Sequence, residues 1–191
     1  MRIATETDRD LVINILTESF KNNTSVKYVV KSDSIKHIKR LMHYSFDVCN
    51  DFGEIFIDSS NNGCVLILYS NNEKTTLKST FRDIKAAFNL FGLKNVLKVL
   101  NRQKKIKTNY PFKEWIYLWY IGVNPLEQKK GIGTELLNEV LKISKQKSLP
   151  ILLETSVESN LDWYKKNGFS IYKELFLDYK LYSLKSEYVS I

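Results

Sequence analysis

The stretch with the most chemical content is Gln128-Lys129-Lys130-Gly131-Ile132-Gly133-Thr134, which joins an apolar run to the start of an amphipathic one. Glycines at such a junction let a ligand approach the main chain. The unpaired N–H groups of a first helical turn, with the positive end of the helix dipole, favour an anion there. A tight turn ahead of an ordinary helix would use the same Gly-x-Gly. Two other phosphate-binding patterns fail on the letters. A P-loop ends in Gly-Lys-Ser/Thr, whereas Gly133 is followed directly by Thr134. The dinucleotide fingerprint needs a third glycine where this chain has Leu136. Further on, Glu154 closes a second apolar run and can take a proton, and Tyr164 can give one. On residue type alone, Glu154 equally suits a solvated strand end and Tyr164 a packing role. Cys49 and Cys64 lack metal-ligand spacing with the two histidines, so reduced thiols and no metal site are expected.

These residues need elements to hold them. Arg2 to Ala4 reads as a short edge strand, and Asp8 to Lys21 puts Leu11, Ile15, Leu16 and Phe20 near helical spacing. Ser34 to Asn50 repeats that pattern until Asp51-Phe52-Gly53 breaks it. Glu54 to Asp58 and Cys64 to Tyr69 flank Ser59-Ser60-Asn61-Asn62-Gly63, which predicts a hairpin. Leu77 to Gln103 returns to helix, interrupted at Gly92, with Phe81, Ile84, Phe88, Phe91, Val96, Leu97 and Leu100 as apolar members. Trp115 to Val123, aromatic and β-branched without polar alternation, reads as a strand covered on both faces. Gly131 to Lys147 carries a helical stripe, and Pro150 to Glu154 is a second buried strand. Strand, helix, strand is a βαβ unit, and a right-handed crossover makes its strands parallel. Ser159 to Asn167 predicts a short helix ended by Gly168 in a left-handed conformation. Phe169 to Glu174 and Phe176 to Leu184 read as two further antiparallel strands.

With 191 residues, 26% charged and 43% hydrophobic, the chain is expected to form one soluble globular domain over residues 1–191. Acidic residues come early, no apolar h-region follows Met1, and no apolar run approaches the ~20 residues of a membrane span. A cytoplasmic protein without a membrane partner is therefore expected. A net charge of +8 suits nucleic acid, an anionic membrane surface or a small polyanion. Its densest cluster, Arg102, Lys104, Lys105 and Lys107, has no interleaved aromatics to stack bases and reads as a solvated helix end. No nucleic-acid partner is expected.

Gln128, Gly131 and Gly133 resemble motif A of the GNAT acetyltransferases, Gln/Arg-x-x-Gly-x-Gly/Ala between a central strand and a helix. Trp119-Tyr120-Ile121-Gly122-Val123-Asn124-Pro125 is similar to that family's strand exit. Asn160-Leu161-Asp162-Trp163-Tyr164-Lys165-Lys166-Asn167-Gly168-Phe169 resembles its motif B. The resemblance covers Trp115 to Glu174, and Leu153-Glu154-Thr155 with the Asn160 to Tyr164 spacing looks like the branch of puromycin-type antibiotic acetyltransferases. It implies an α/β (α+β) fold: a mixed, mostly antiparallel twisted sheet with one parallel, splayed strand pair and flanking helices.

The resemblance further implies acetyl-CoA as cofactor, with the exposed backbone of Ile121, Gly122 and Val123 pairing with pantetheine at a bulge that Gly122 suits. The N–H near Val123 would polarise the thioester carbonyl, and amides of Lys129, Lys130, Gly131, Ile132, Gly133 and Thr134 would hold the pyrophosphate. Asn160 would bond the cofactor or cap its helix. Tyr164 is the expected acid for the departing thiolate, and Glu154, with Glu114 behind it, the expected base for the amine. The expected acceptor is a primary amine of a small molecule, attacking directly in a ternary complex. Its pocket would lie between the first two predicted helices and the segment from Leu77 to Asn109, whose apolar stripe equally suits core or a homodimer face. Acetylation of a protein lysine or N-terminus, and a CoA-binding sensor without turnover, are the competing readings.

Overall fold

The computed structural model describes residues 1–72, 92–108 and 110–186. Helix α1 is Arg9–Phe20, and its Val12, Ile13, Ile15 and Leu16 fall on one buried face. Helix α2, Thr24–Val29, has no long apolar stripe to announce it; it starts because the side-chain oxygen of Asn23 accepts the Val26 N–H at 3.0 Å. Helix α3 is Ile35–Phe52 and buries Ile38, Leu41, Met42, Ser45, Phe46 and Cys49, a spacing of three and four. It runs through Asp51-Phe52 and stops only at Gly53, two residues beyond the break expected from sequence.

Strands β1 (Arg2–Ile3), β2 (Gly53–Ile57) and β3 (Gly63–Tyr69) are antiparallel, with β1 at the sheet edge. The hairpin turn is held by Asp58, whose carboxylate accepts the N–H groups of Ser60 and Asn62 at 2.8 Å and of Gly63 at 2.5 Å. Helix α4 is Leu93–Lys107, entered from Gly92 at φ 71°. The helical expectation from Leu77 through Phe81, Ile84, Phe88 and Phe91 lies outside the described residues. Then follow β4 (Ile116–Val123), α5 (Ile132–Lys147), β5 (Ile151–Thr155), α6 (Leu161–Lys166), β6 (Ser170–Phe176) and β7 (Lys180–Ser186).

The seven strands form one sheet in the order β1-β2-β3-β4-β5-β7-β6. Among the described strands only β4 and β5 are parallel, as the βαβ reading requires. One core lies between the sheet and α1 and α3, and a second lies beneath α5 and α6. In the second core Leu136, Leu137 and Val140 of α5 are fully buried, which stabilises by about 1.5–3 kcal/mol per side chain and fixes the N-terminus of α5 against the sheet. No helix among the described residues is long and apolar enough to cross a membrane.

Candidate active site

The site begins where β4 and β5 stop pairing. Their parallel ladder contains Ile116↔Ile151 and Tyr117↔Leu152 and goes no further, although β4 continues to Val123 and β5 to Thr155. Which main-chain groups of β4 face the resulting gap is set by a bulge. Tyr120 opposes Leu66 while Leu118 opposes Ile67, so Trp119 is an extra residue in β4. Side chains record the same step: Ile116 and Leu118 belong to the core under α5, Tyr117 to the core under α1, and Trp119 and Tyr120 both to the latter. Before the bulge, the Trp115 carbonyl accepts from Ser70 on the β3 side; after it, the Asn124 N–H donates to Asn62 on that side. By alternation, the main-chain groups of Ile121 and Val123 point away from β3 and into the gap.

The bulge is therefore at Trp119 and not at Gly122, where sequence placed it. Gly122 pairs regularly with Cys64. Its missing side chain serves a close helix approach instead, since a Cβ would lie 3.1 Å from Leu16 Cδ2 and 3.2 Å from Ser19 Oγ. That approach lets the Ser19 hydroxyl donate to the Val123 carbonyl at 2.8 Å. Gln128 Nε2 donates to the same oxygen at 3.2 Å, so the glutamine ties the loop to the strand end.

The loop after β4 is built to present N–H groups. Asn124 accepts the Leu126 N–H at 3.1 Å, with Pro125 opening a short turn. Lys129 (φ 65°) and Gly131 (φ 92°) are both left-handed, the former at a cost of about 1–2 kcal/mol for a residue with a side chain. The first bond of α5 runs from the Glu135 N–H to the Gly131 carbonyl at 3.0 Å, leaving Ile132, Gly133 and Thr134 ahead of the ladder. A Cβ on Gly131 would meet nothing within 4 Å, and Gly133 lines the cleft, so an anion can reach this backbone. A pyrophosphate fits such a cradle. Lys130 is bound to Glu127 at 2.9 Å, and Lys129 is exposed. Thr134 accepts the Trp163 indole N–H at 3.0 Å, which ties α5 to α6.

The gap widens into a cleft of about 1140 Å³. On the α6 side it is bordered by Asn160, Trp163 and Tyr164. Asn160 precedes α6 without a capping bond from its side chain among the described residues, and it borders the cleft. Tyr164 packs its ring against Trp163 and Phe169 at 4.7 and 5.6 Å, and burial holds its phenol protonated far above neutral pH. Ser156, which sequence reasoning did not single out, lines the same cleft with a buried Oγ that has no partner among the described residues.

On the opposite face, Glu154 alternates with Ile151 and Leu153 and so points toward the α1 side. Its Oε2 accepts the Tyr117 hydroxyl, and its Oε1 is buried with no partner among the described residues. Burial raises its pKa above the ordinary carboxylate range, opposed by the Tyr117 bond and the positive charge of Arg102. Glu114 is exposed and does not border the cleft. The aromatic wall on this side comes from Phe20, Tyr44, Trp119 and Tyr120, packed edge to face in the pairs Phe20–Tyr120 and Tyr44–Trp119.

Arg102 corrects the reading of the charge run. Lys104, Lys105 and Lys107 are exposed, but Arg102 is only 9% exposed and enters the cleft from α4. Its Nε donates to the Tyr179 hydroxyl at 3.0 Å and its Nη2 to Ser25 Oγ at 2.9 Å. Helical periodicity offered the only signal: Arg102 shares the inward side of α4 with buried Val99 and Ile106.

The sequence profile of the Acetyltransferase (GNAT) family matches residues 100–169. An uncharacterized N-acetyltransferase of Schizosaccharomyces pombe is 38% identical over 61 residues, 32% of this chain. That match spans only 25% of the yeast protein's own length. Among solved structures, a histone acetyltransferase HPA2 and related acetyltransferase from Corynebacterium glutamicum superposes with a TM-score of 0.71 at 16% identity, covering 100% of this chain and 96% of its own. The C-terminal condensation domain of Ebony, in complex with β-alanyl-dopamine, gives 0.71 at 12% identity over 97% of each chain. At these identities the two likenesses concern the fold.

Proposed function

We propose that the chain, whose residues 100–169 match the GNAT acetyltransferase family, is a member of that superfamily and transfers an acetyl group from acetyl-CoA to a primary amine of a small molecule. One observation carries this reading. The main chain of Ile121 and Val123 faces an unpaired gap that opens on the 128–134 loop on one side and on Glu154 on the other. Donor and acceptor can thus meet across the sheet from opposite faces, without a covalent enzyme intermediate.

Acetyl-CoA supplies the activated acyl carbon. The chain's own residues do the rest. Amides of Ile132, Gly133 and Thr134 would hold the pyrophosphate at the positive end of α5, and Asn160, on the other wall of the cleft, would bond the cofactor. The Val123 N–H donates to the carbonyl oxygen where negative charge develops. Glu154 Oε1, raised in pKa and unpartnered, takes the proton of an ammonium whose ordinary pKa near ~10 would keep it unreactive. Tyr164, fully protonated, donates toward the leaving sulfur.

The preference for a small acceptor rests on Arg102, which joins α4 to Ser25 of α2 and Tyr179 of the β6–β7 turn over the acceptor face. The test is release of CoA thiol from acetyl-CoA in a panel of amines beside peptides with free N-termini or lysines. Amine-dependent release from small molecules above that from peptides supports the reading. Preferential release with peptides would move the acceptor to protein.

A further inference from the structure

Arg102 is a built feature without an explanation in the acetyl transfer itself. Burying a guanidinium is expensive unless an anion compensates it. Its partners here, Tyr179 and Ser25, are both neutral hydroxyls. They also bond to each other, Tyr179 to Ser25 at 3.1 Å, and the Tyr179 ring is braced by Tyr28 with centroids 5.0 Å apart. The three side chains form a triangle that fixes the plane of the guanidinium. A guanidinium carries five N–H groups in a rigid fork. Those not used by Tyr179 and Ser25 have no acceptor among the described residues, and the side chain borders the cleft.

Glu154 does not supply the missing anion. It lies within electrostatic reach, but among the described residues only Tyr117 bonds its oxygens, and no hydrogen bond joins it to Arg102. A planar, fixed fork with free donors matches a carboxylate in two-point contact. From this we infer that the acceptor is an amine that also carries a carboxylate, and that Arg102 is the specificity residue that receives it. The inference deepens the acetyltransferase reading and rests on it. The charges then close: the carboxylate neutralises Arg102, while the ammonium delivers its proton to Glu154 on becoming the nucleophile. Phe20, Tyr44, Trp119 and Tyr120 leave room beside this pair for an apolar or aromatic body.

The test uses matched acceptors: phenylalanine, β-alanine and γ-aminobutyrate, each against the amine in which hydrogen replaces the carboxylate. Wild-type protein is expected to favour the acid in at least one pair by about 10- to 100-fold in kcat/KM, the size of a charged hydrogen bond. Arg102→Met should bring that ratio to about one, and Arg102→Lys should restore part of it because the charge returns without the fork. Preference for the neutral amine, a ratio unchanged in Arg102→Met, or turnover of none of these by protein that binds acetyl-CoA overturns the inference. Calorimetry of each acid with the CoA-free protein is the second arm. If acetyl-CoA itself fails to bind, the acetyltransferase reading falls, and carboxylate binding abolished in Arg102→Met still decides the Arg102 site alone.

Discussion

Replacing Glu154 by Gln separates the chemistry proposed for this carboxylate from its place in the fold. Gln keeps the shape and can still accept the Tyr117 hydroxyl, but it cannot take a proton. Loss of a general base costs about 100- to 10,000-fold in rate, and kcat/KM should fall within that range with little change in the affinity for acetyl-CoA. Wild-type kcat/KM should rise with pH through a limb above the ordinary carboxylate range, because burial raises the Glu154 pKa. That limb disappears in the variant, leaving only the limb of the amine near ~10. Stability should move the other way. A carboxyl whose pKa is higher folded than unfolded stabilises the protein as pH falls through the folded value and is a burden above it. With Oε1 buried and unpartnered, the burden is about 1–3 kcal/mol. Glu154→Gln should therefore be more stable than wild type at about pH 8 in urea denaturation, with the gain vanishing at about pH 4. A variant that keeps its activity within about threefold and its acid limb intact would refute Glu154 as the base.

Tyr164→Phe should lower kcat by about 100- to 10,000-fold while leaving the dissociation constant of acetyl-CoA nearly unchanged, as read by steady-state turnover and calorimetry. Gly122→Ala would press a methyl into Leu16 and Ser19 and strain the Ser19–Val123 bond, so a loss of about 1–3 kcal/mol by denaturant unfolding is expected. Asp58→Ala leaves the hairpin N–H groups of Ser60, Asn62 and Gly63 without their acceptor and should cost about 2–4 kcal/mol. Desolvation opposes ionisation of Asp58, yet the hydrogen bonds prevail and lower its pKa; its contribution is thus present at neutral pH and lost on acidification, which acid unfolding of the two proteins will compare.

Local signals made much of this molecule legible. The 128–134 loop could be read because glycine conformations and a βαβ period are encoded within a few residues, and Gly168 at φ 85° ends α6 as its position foretold. The parallel pair followed from the crossover rule. What escaped depended on distant partners. Trp119 sits in an apolar run that reads as uninterrupted strand, and only the register against Leu66 and Ile67 reveals it as a bulge. The left-handed Lys129 has a side chain that disguises its conformation. Arg102 sat in a lysine-rich run, and its burial depends on Ser25 and Tyr179, which are remote in sequence. Helix α2 buries only Val26, too little to give a periodic stripe.

The proposed activity requires acetyl-CoA to lie against the 128–134 loop. Thermal unfolding of the wild type and of Gly131→Glu, each with and without acetyl-CoA, measures that most directly. At 100 times its dissociation constant the ligand should stabilise the wild type by about 2.7 kcal/mol. The variant, with an acidic side chain at φ 92° in the anion cradle, should lose that gain. An unchanged melting temperature for the wild type at millimolar acetyl-CoA, or an equal rise in both proteins, would contradict the placement of the cofactor and the activity built on it.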